Sequence, residues 1–369
     1  MQTKQSYPVM EINLKHLKEN AQNIVSRCKE CAIEVTGVVK AVDTYKHGYN
    51  EIAKLLLDSG CISIGDSRMN TIRKMREDGF EGELMLIRIP MKSELEEVVR
   101  YADISLQSEM EVIKLTDEAA RKQKVVHGVL LMMDLGDLRE GFFDEEELIE
   151  AALYIEHECS SLRLKGIGTN LGCYGAISPD STNLGRLVSI ARKIEDKIDR
   201  KLDYVSGGAT STLPLVLKKA VPEGINHLRI GEGIVVSRDL IDDWKCDMPF
   251  MHQDIYKIKA EVIEVKTKAS HPIGKIFIDA FGNTPQFEDR GMRKRALLAL
   301  GKRDVGSFDF LKVRLEGAEI LGGSSDHLIL DVEEVPGGVK VGDIISFDCT
   351  YGAMVFANHS ESVSKVYLR

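Results

Sequence analysis

Two textures of apolar spacing divide the chain. From residue 35 to about 235, short β-branched runs alternate with stretches whose apolar residues recur every three to four positions. The strand-like runs are Val35–Ala41, Cys61–Gly65, Leu84–Ile89, Asp103–Leu106, Val125–Asp134, Arg163–Thr169, Tyr204–Ser206 and His227–Ile230. Helical patterns lie between most of them, at Asn50–Ser59, Ser67–Asp78, Ser108–Arg121, Asp144–Cys159 and Asn183–Asp199. In the first two of these, Ile52, Leu55 and Leu56, then Met69, Ile72 and Met75, would share one helix face. Eight strands followed by helices predict an α/β fold, a (β/α)8 TIM-type barrel rather than an open sheet.

After Asp247 the helical period fades and strand candidates follow one another: Tyr256–Lys266, Lys275–Asp279, Arg295–Leu300, Lys312–Leu321, His327–Val332, Asp343–Asp348 and Ser362–Leu368. Glycine and proline punctuate them, at Gly282-Asn283 and Pro336-Gly337-Gly338. The expected organisation is a barrel over residues 10–247 and a C-terminal antiparallel β domain over 248–369. The segment Val9–Cys28 offers a short strand and a helix, so residues 1–30 are a candidate contribution to the second domain.

Composition narrows the function. A chain of 369 residues, 43% apolar and 29% charged, suits two soluble domains with sizeable cores. The net charge of −9 argues against a nucleic-acid or anionic-membrane partner, either of which needs a basic face, and favours a small molecule. The opening MQTKQSYPVMEINLKHL lacks a signal-peptide core, and no stretch approaches the roughly 20 apolar residues of a membrane span. Seven scattered cysteines fit a reducing, cytoplasmic setting. Cys28 and Cys31 form a lone CxxC, read as structural, and no metal is expected.

Active sites of such barrels lie at the C-terminal ends of strands. The first strand runs into Val38-Val39-Lys40, where a half-buried ammonium would lose solvation and become a Schiff-base or general-base lysine, or else reach to solvent. The fifth ends Asp134-Leu135-Gly136-Asp137-Leu138-Arg139-Glu140-Gly141, which would place the Arg139 cation in the barrel mouth or close a surface salt bridge. The sixth ends Gly168-Thr169-Asn170, an amide that could cover a flat ring or simply turn the chain. The seventh leads into Ser206-Gly207-Gly208-Ala209-Thr210-Ser211-Thr212, glycines and hydroxyls ahead of a helix start, an anion cradle. The eighth supplies Arg229-Ile230-Gly231-Glu232, with Gly231 allowing close backbone approach. A lysine at one strand end and a phosphate cradle at two others imply a phosphorylated carbonyl cofactor, for which pyridoxal 5'-phosphate is the natural candidate.

Those motifs carry a resemblance. The chain resembles the alanine-racemase group (fold type III pyridoxal-phosphate enzymes) over nearly its whole length, and within it the ornithine racemases. The resemblance implies that Lys40 is the cofactor lysine and that Arg139 meets the cofactor's phenolic oxygen. Asn170 would lie against the ring, and Arg229 would bond the pyridine nitrogen. The phosphate would be held by Ser206, Gly207, Gly208, Thr210, Ser211, Gly231 and Glu232. In the C-terminal half, Ser324–Val332 resembles the family segment that reads cysteine-methionine-aspartate-glutamine, so Ser325 and Asp326, with Arg139, would meet the substrate. In the family that domain completes the partner's active site, implying a homodimer with shared sites acting on an amino acid.

Two departures from the family pattern stand out. The motif after Lys40, Ala41-Val42-Asp43-Thr44-Tyr45-Lys46-His47-Gly48, is one residue longer than usual, which puts a phosphate contact by Tyr45 in doubt. The position of the family's opposite-face tyrosine is occupied by Asp279, in Ile278-Asp279-Ala280-Phe281-Gly282-Asn283. Racemisation needs an acid/base group on each face of Cα. Lys40 would serve one face, and Tyr351 is the first choice for the other, with Asp279 the second; as structural alternatives, Tyr351 would only bind phosphate and Asp279 would only form a turn. A diamino acid would also need a carboxylate for its terminal ammonium, from Asp43, Asp137, Glu140, Glu232, Asp279 or Asp326. Two rival readings remain. One is a metal-assisted enzyme like D-threonine aldolase or D-serine dehydratase, with His327 and Cys349 as ligands; the other is a non-enzymatic pyridoxal-phosphate carrier protein.

Overall fold

The computed structural model describes residues 6–40, 42 and 48–369. The chain divides into two compact units, one built from residues 17–40 and 48–252, the other from residues 6–16 and 253–369. The first strand, β1 (Val9–Asn13), belongs to the second of these.

The larger unit is a closed barrel of eight parallel strands, each hydrogen-bonded to the next in chain order. They are β2 (Glu34–Val38), β3 (Ser63–Asp66), β4 (Leu84–Leu86), β5 (Ile104–Gln107), β6 (His127–Met132), β7 (Leu162–Gly168), β8 (Tyr204–Ser206) and β9 (His227–Ile230). β9 closes the ring by pairing with β2. Helices follow the strands as the apolar periodicity predicts, and Ile52, Leu56, Met69, Ile72 and Met75 are all buried.

Alternation along the strands sorts the two faces of the barrel wall. Gln107 donates to Thr116 in the helix Met110–Gln123, so Ile104 and Leu106 face the interior. There they pack with Met85, Leu130, Met132 and Tyr204. Ser206 follows Tyr204 by two positions. His227 stacks on Tyr204 with ring centroids 4.6 Å apart, and Arg229 follows His227 by two. The interior is therefore apolar along β4–β8 and polar where β2, β3, β8 and β9 meet, with Thr36, Ser63, Ser206, His227 and Arg229 buried together.

One irregularity aims the site. β6 and β7 slip register between Val129 and Leu130, so that Leu164 and Gly166 face consecutive partners and Lys165 is bulged out. Gly166 has φ +156°, and a Cβ there would sit 1.8 Å from the Tyr204 carbonyl oxygen. The bulge sets which way Gly168, Thr169 and Asn170 point, because a one-residue slip turns every later side chain to the opposite face.

The second unit is a sheet, antiparallel along the order β12-β15-β10-β11-β14-β13, with β1 antiparallel to β10 on one side and parallel to β16 on the other. Its strands are β10 (Tyr256–Ala269), β11 (Met292–Leu298), β12 (Leu311–Val313), β13 (Glu319–Gly323), β14 (Leu328–Asp331), β15 (Ile344–Cys349) and β16 (Ser364–Leu368). Three expectations need correction. Lys275–Asp279 is not a strand: no described strand pairs with it, and Phe277 and Ile278 are exposed. The run Lys312–Leu321 is two strands, broken by a turn at Gly317 with φ +78°. The helix Tyr351–His359 went unread because a short apolar run has no diagnostic period. Among the described residues no helix is long and apolar enough to cross a membrane.

Gly166→Ala should cost about 2–4 kcal/mol, since the added methyl meets backbone rather than a movable side chain. Thermal melting of the cofactor-free protein checks this. An unchanged midpoint would mean that β7 can shed the bulge.

Candidate active site

Lys40 lies in the turn just past β2, after Val39 has donated the last bond of the β2–β3 ladder to Gly65 (2.9 Å). Its side chain is exposed, not half-buried as the sequence suggested, because it stands beyond the packed part of the strand. Close to it, at the end of β3, is an acid the sequence reading passed over. Asp66 is only 2% exposed. Burial pushes its pKa up to about 7, against the pull of the Arg68 and Ser67 amides and the nearby Lys40 cation. The available signal was an acid closing an apolar strand, the same mark that picked out Lys40. Asp43 and Tyr45 lie outside the described residues.

Arg229 is 4% exposed at the end of β9. Its Nη2 donates to the Thr169 carbonyl (2.7 Å) and its Nη1 to the Ser206 hydroxyl, and among the described residues it forms no ion pair. Burial lowers its proton affinity to about 10; Glu140 opposes this and Arg139 adds to it. Arg139 and Glu140 therefore do stand near Arg229, bonded to each other through Nη2 and Oε1 (2.6 Å). Two buried polar atoms nearby, Asn170 Nδ2 and Thr169 Oγ1, have no hydrogen-bond partner among the described residues.

The loop after β8 needs a finer reading than an array of hydroxyls. Ser211 donates to the Leu171 carbonyl (2.7 Å) and Thr212 to the Gly207 carbonyl (2.7 Å), so neither proton is free for an anion. Ser206 is turned inward to Arg229 and His227. Thr210 differs: its oxygen accepts from the Gly233 amide (3.0 Å), tying the loop after β8 to the one after β9, and its proton stays available. Gly208 holds φ +107°, where a side chain is strained. At the start of the turn Thr210–Thr212 the amides of Thr210 and Ser211 have no intrahelical acceptor, whereas Thr212 donates to the Ala209 carbonyl (3.1 Å) and Leu213 to that of Thr210.

Two of the acids proposed from sequence stand in contrasting surroundings. Asp137 is buried and accepts from the amides of Gly172 (2.9 Å), Tyr174 (3.0 Å) and Ile177 (3.4 Å), pinning the loop after β7 to the loop after β6. Burial alone would raise its pKa, but the amides outweigh it and hold the carboxylate ionised. These bonds commit the carboxylate to holding the two loops rather than to a substrate amine. Glu232, next to Gly231, is pushed to about 8 by burial and by the like charge of Asp239, and its Oε2 has no partner among the described residues.

In the second unit Tyr351 opens the helix Tyr351–His359 directly after β15. Asp279 holds an Asx turn, its Oδ1 accepting from the amides of Phe281 (2.9 Å) and Asn283 (2.8 Å). Ser325 donates to Asp326 (2.5 Å), which also meets Arg303 (3.4 Å), all three at the surface. His327 is exposed, Cys349 is buried, and among the described residues neither belongs to a cluster of three metal-ligating side chains.

Glu232 carries a pH signature. Its folded pKa lies above the ordinary 4.5, so its contribution to stability is complete below that value and is lost as pH rises to about 8. Glu232→Gln should therefore flatten the fall in melting temperature of the cofactor-free protein across this window. Parallel curves for variant and parent would show that the carboxyl is ionised and compensated.

Comparison with known proteins places this geometry. The model of the alanine racemase N-terminal domain matches residues 12–239. The chain is 40% identical to an ornithine racemase of Acetoanaerobium sticklandii, over 98% of this chain and 100% of that protein. It is 41% identical to a lysine racemase of Thermotoga maritima, over 98% of each. Among solved structures, the alanine racemase of Streptomyces lavendulae superposes with a TM-score of 0.75 over 100% of this chain and 98% of that one, at 17% identity. A histidine racemase from Leuconostoc mesenteroides gives a TM-score of 0.71 over 100% and 99%, also at 17% identity. The low identities speak for the shared fold alone; the family match and the two full-length relatives show that this chain belongs to the alanine racemase family.

Proposed function

We propose that this protein is a pyridoxal 5'-phosphate-dependent amino-acid racemase whose substrate is ornithine or lysine. The observation that carries the reading is Arg229, a buried guanidinium with no carboxylate partner among the described residues, in a barrel end that also presents a lysine and an available Thr210 proton. An unneutralised buried cation is costly unless something accepts from it, and a heteroaromatic nitrogen is such an acceptor. The orphaned Asn170 amide suits a flat ring's polar edge. The residues present therefore fit the cofactor.

When bound, pyridoxal phosphate supplies a conjugated electron sink that acidifies the amino acid's Cα–H bond. Lys40 would hold the cofactor covalently through Nζ and move the proton on one face of Cα. Tyr351, or Asp279 in second place, would hold the proton on the other, supplied by the partner in a homodimer with shared sites. One group removes a proton and the other returns one, so nothing is consumed. Arg229, which keeps its proton across the working range, can only donate to the ring nitrogen, leaving that nitrogen unprotonated. Of the hydroxyls in the cradle, Thr210 alone would donate to the phosphate, alongside the free amides. At neutral pH Glu232 is largely protonated and so can donate rather than repel. Residues 10–247 would carry the cofactor and 248–369 complete the site.

A basic side chain needs a carboxylate within the site, since burying an unpaired ammonium costs several kcal/mol. Glu140, Asp279 and Asp326 remain for that role, and Asp66 and Glu232, both raised by burial, would join them only in their ionised forms, which a substrate ammonium favours. The full-length resemblance to ornithine and lysine racemases supports the same substrate class.

Chiral chromatography of a panel of L-amino acids should show ornithine or lysine turned over at least about tenfold more efficiently than alanine, ~1.4 kcal/mol in the barrier. Equal efficiency with alanine or serine would remove the diamino-acid assignment and leave the racemase. Lys40→Ala should abolish the visible absorption band of the bound cofactor. Thr210→Val should weaken cofactor affinity about tenfold, the loss of one hydrogen bond to a charged group, while Ser211→Ala changes it less. Equal losses in the last two would return Ser211 to the phosphate. If sites are shared, inactive Lys40→Ala and Tyr351→Phe proteins should regain activity when their subunits exchange.

A further inference from the structure

Behind Arg229, away from any group already given a role in the chemistry, runs a continuous chain of buried hydrogen bonds. Arg229 donates to Ser206 Oγ; Ser206 Oγ meets His227 Nδ1 (2.9 Å); His227 Nε2 meets Thr36 Oγ1 (2.7 Å); Thr36 Oγ1 meets Ser63 Oγ (2.6 Å). The last four of these residues are at most 1% exposed. They come from four barrel strands and contain no carboxylate.

The direction of this chain follows from chemistry. A guanidinium only donates, so Ser206 accepts from it. The Ser206 proton then goes to His227 Nδ1. Burial and the neighbouring Arg229 charge keep His227 neutral, well below its ordinary protonation range. A neutral ring with Nδ1 accepting carries its proton on Nε2, which donates to Thr36, and Thr36 donates in turn to Ser63. The opposite polarity would aim the positive end of an Nδ1–H toward a cation through one shared oxygen. Charge–dipole energy in this low-dielectric interior therefore selects the first arrangement. The other group packed on the ring, Tyr204, stacks on it and contributes no charge at neutral pH.

We infer that His227 is a positioning residue for Arg229: acting through Ser206, its Nε2-protonated imidazole fixes the guanidinium without neutralising it. A carboxylate in that place would draw charge away from the ligand, whereas a neutral relay leaves it undiminished. The Thr169 carbonyl fixes the other end, so the guanidinium plane is held at two points and its remaining N–H groups are left for an acceptor. The inference rests on reading the barrel mouth as a pyridoxal-phosphate site, and goes beyond it to a residue that touches neither cofactor nor substrate.

Two measurements test it. In cofactor-free protein carrying 15N-labelled histidine, with His227→Gln used to assign the signal, His227 should be the Nε2–H tautomer and stay so from about pH 5 to pH 9. An Nδ1–H tautomer, or titration within that range, overturns the relay. In the holoenzyme, His227→Leu should loosen the cofactor about tenfold, shift its absorption band and lower kcat about tenfold with KM nearly unchanged. His227→Gln, whose amide can accept from Ser206 and donate to Thr36, should recover most of each loss. If Gln is no better than Leu, or Leu matches the parent, the ring merely packs against Tyr204. Should the Leu variant not fold, Thr36→Val breaks the chain one bond further out in nearly the same volume. It should give a smaller loss, about threefold, in the same readouts, and no loss counts against the proposal. Parent protein that fails to bind pyridoxal phosphate defeats the functional reading instead, while the tautomer measurement still judges the relay.

Discussion

A guanidinium buried with no ion-pair partner among the described residues constrains everything around it. Arg229 must be surrounded by groups that accept hydrogen bonds, and the barrel supplies them from several strand ends at once: the Thr169 carbonyl after β7 and the Ser206 hydroxyl at β8. Its own amide donates to the Gly208 carbonyl (3.0 Å), locking the start of the cradle loop to β9. Gly168 belongs to the same arrangement, since a Cβ there would come within 3.3 Å of Arg229 Nη1. The β7 bulge at Gly166 is what brings Thr169 to this position. A cation, a bulge and two glycines are thus one structural decision.

Side chains bonded to backbone tie the loops of the barrel mouth to one another. Asp137 joins the loops after β6 and β7, and Thr210 joins those after β8 and β9. Such bonds fix loop position while leaving the mouth polar. Around them sit acids in two electrostatic states. Asp137 is held ionised by amides, whereas Asp66 and Glu232 are raised toward neutrality by burial. In a site expected to receive both a phosphate and a substrate ammonium, acids that differ in charge state at one pH give the protein donors and acceptors from a single residue type.

The two units divide the chemistry differently. In the barrel Asp66, Asp137 and Arg229 are buried, while Lys40 and Arg139 are exposed. The candidates in the second unit, Ser325 and Asp326, are exposed, and the long connection between β10 and β11 exposes Ile273, Phe277 and Ile278. Apolar side chains left open in this way are unusual for a monomer's surface and suit a segment that meets another chain, in keeping with the homodimer proposed.

By itself the sequence determined the alternation of eight barrel strands with helices, because amphipathic periodicity is a local property, and it placed Lys40, Asn170 and Arg229 at or just past strand ends, because a strand's last residue is legible from where its apolar run stops; Arg139 lies further out, in the loop after β6. Tyr204–Ser206 and His227–Ile230 came out with the bounds they have in the fold. It failed where pairing partners decide: Lys275–Asp279 reads as a strand but has none to pair with, and the apolar run after Tyr351 carries no period. Only the tertiary structure decided which hydroxyls of the cradle keep a proton, that Asp137 is a staple, and that Lys40 stands in solvent while Asp66 beside it is buried. The polar seam of Ser63, Thr36, His227 and Ser206 was equally hidden. Its members are scattered over more than half the chain, and each reads singly as an ordinary strand residue. Hydrogen bonding across strands and burial of charge depend on which strands become neighbours, and closure of the barrel settles that.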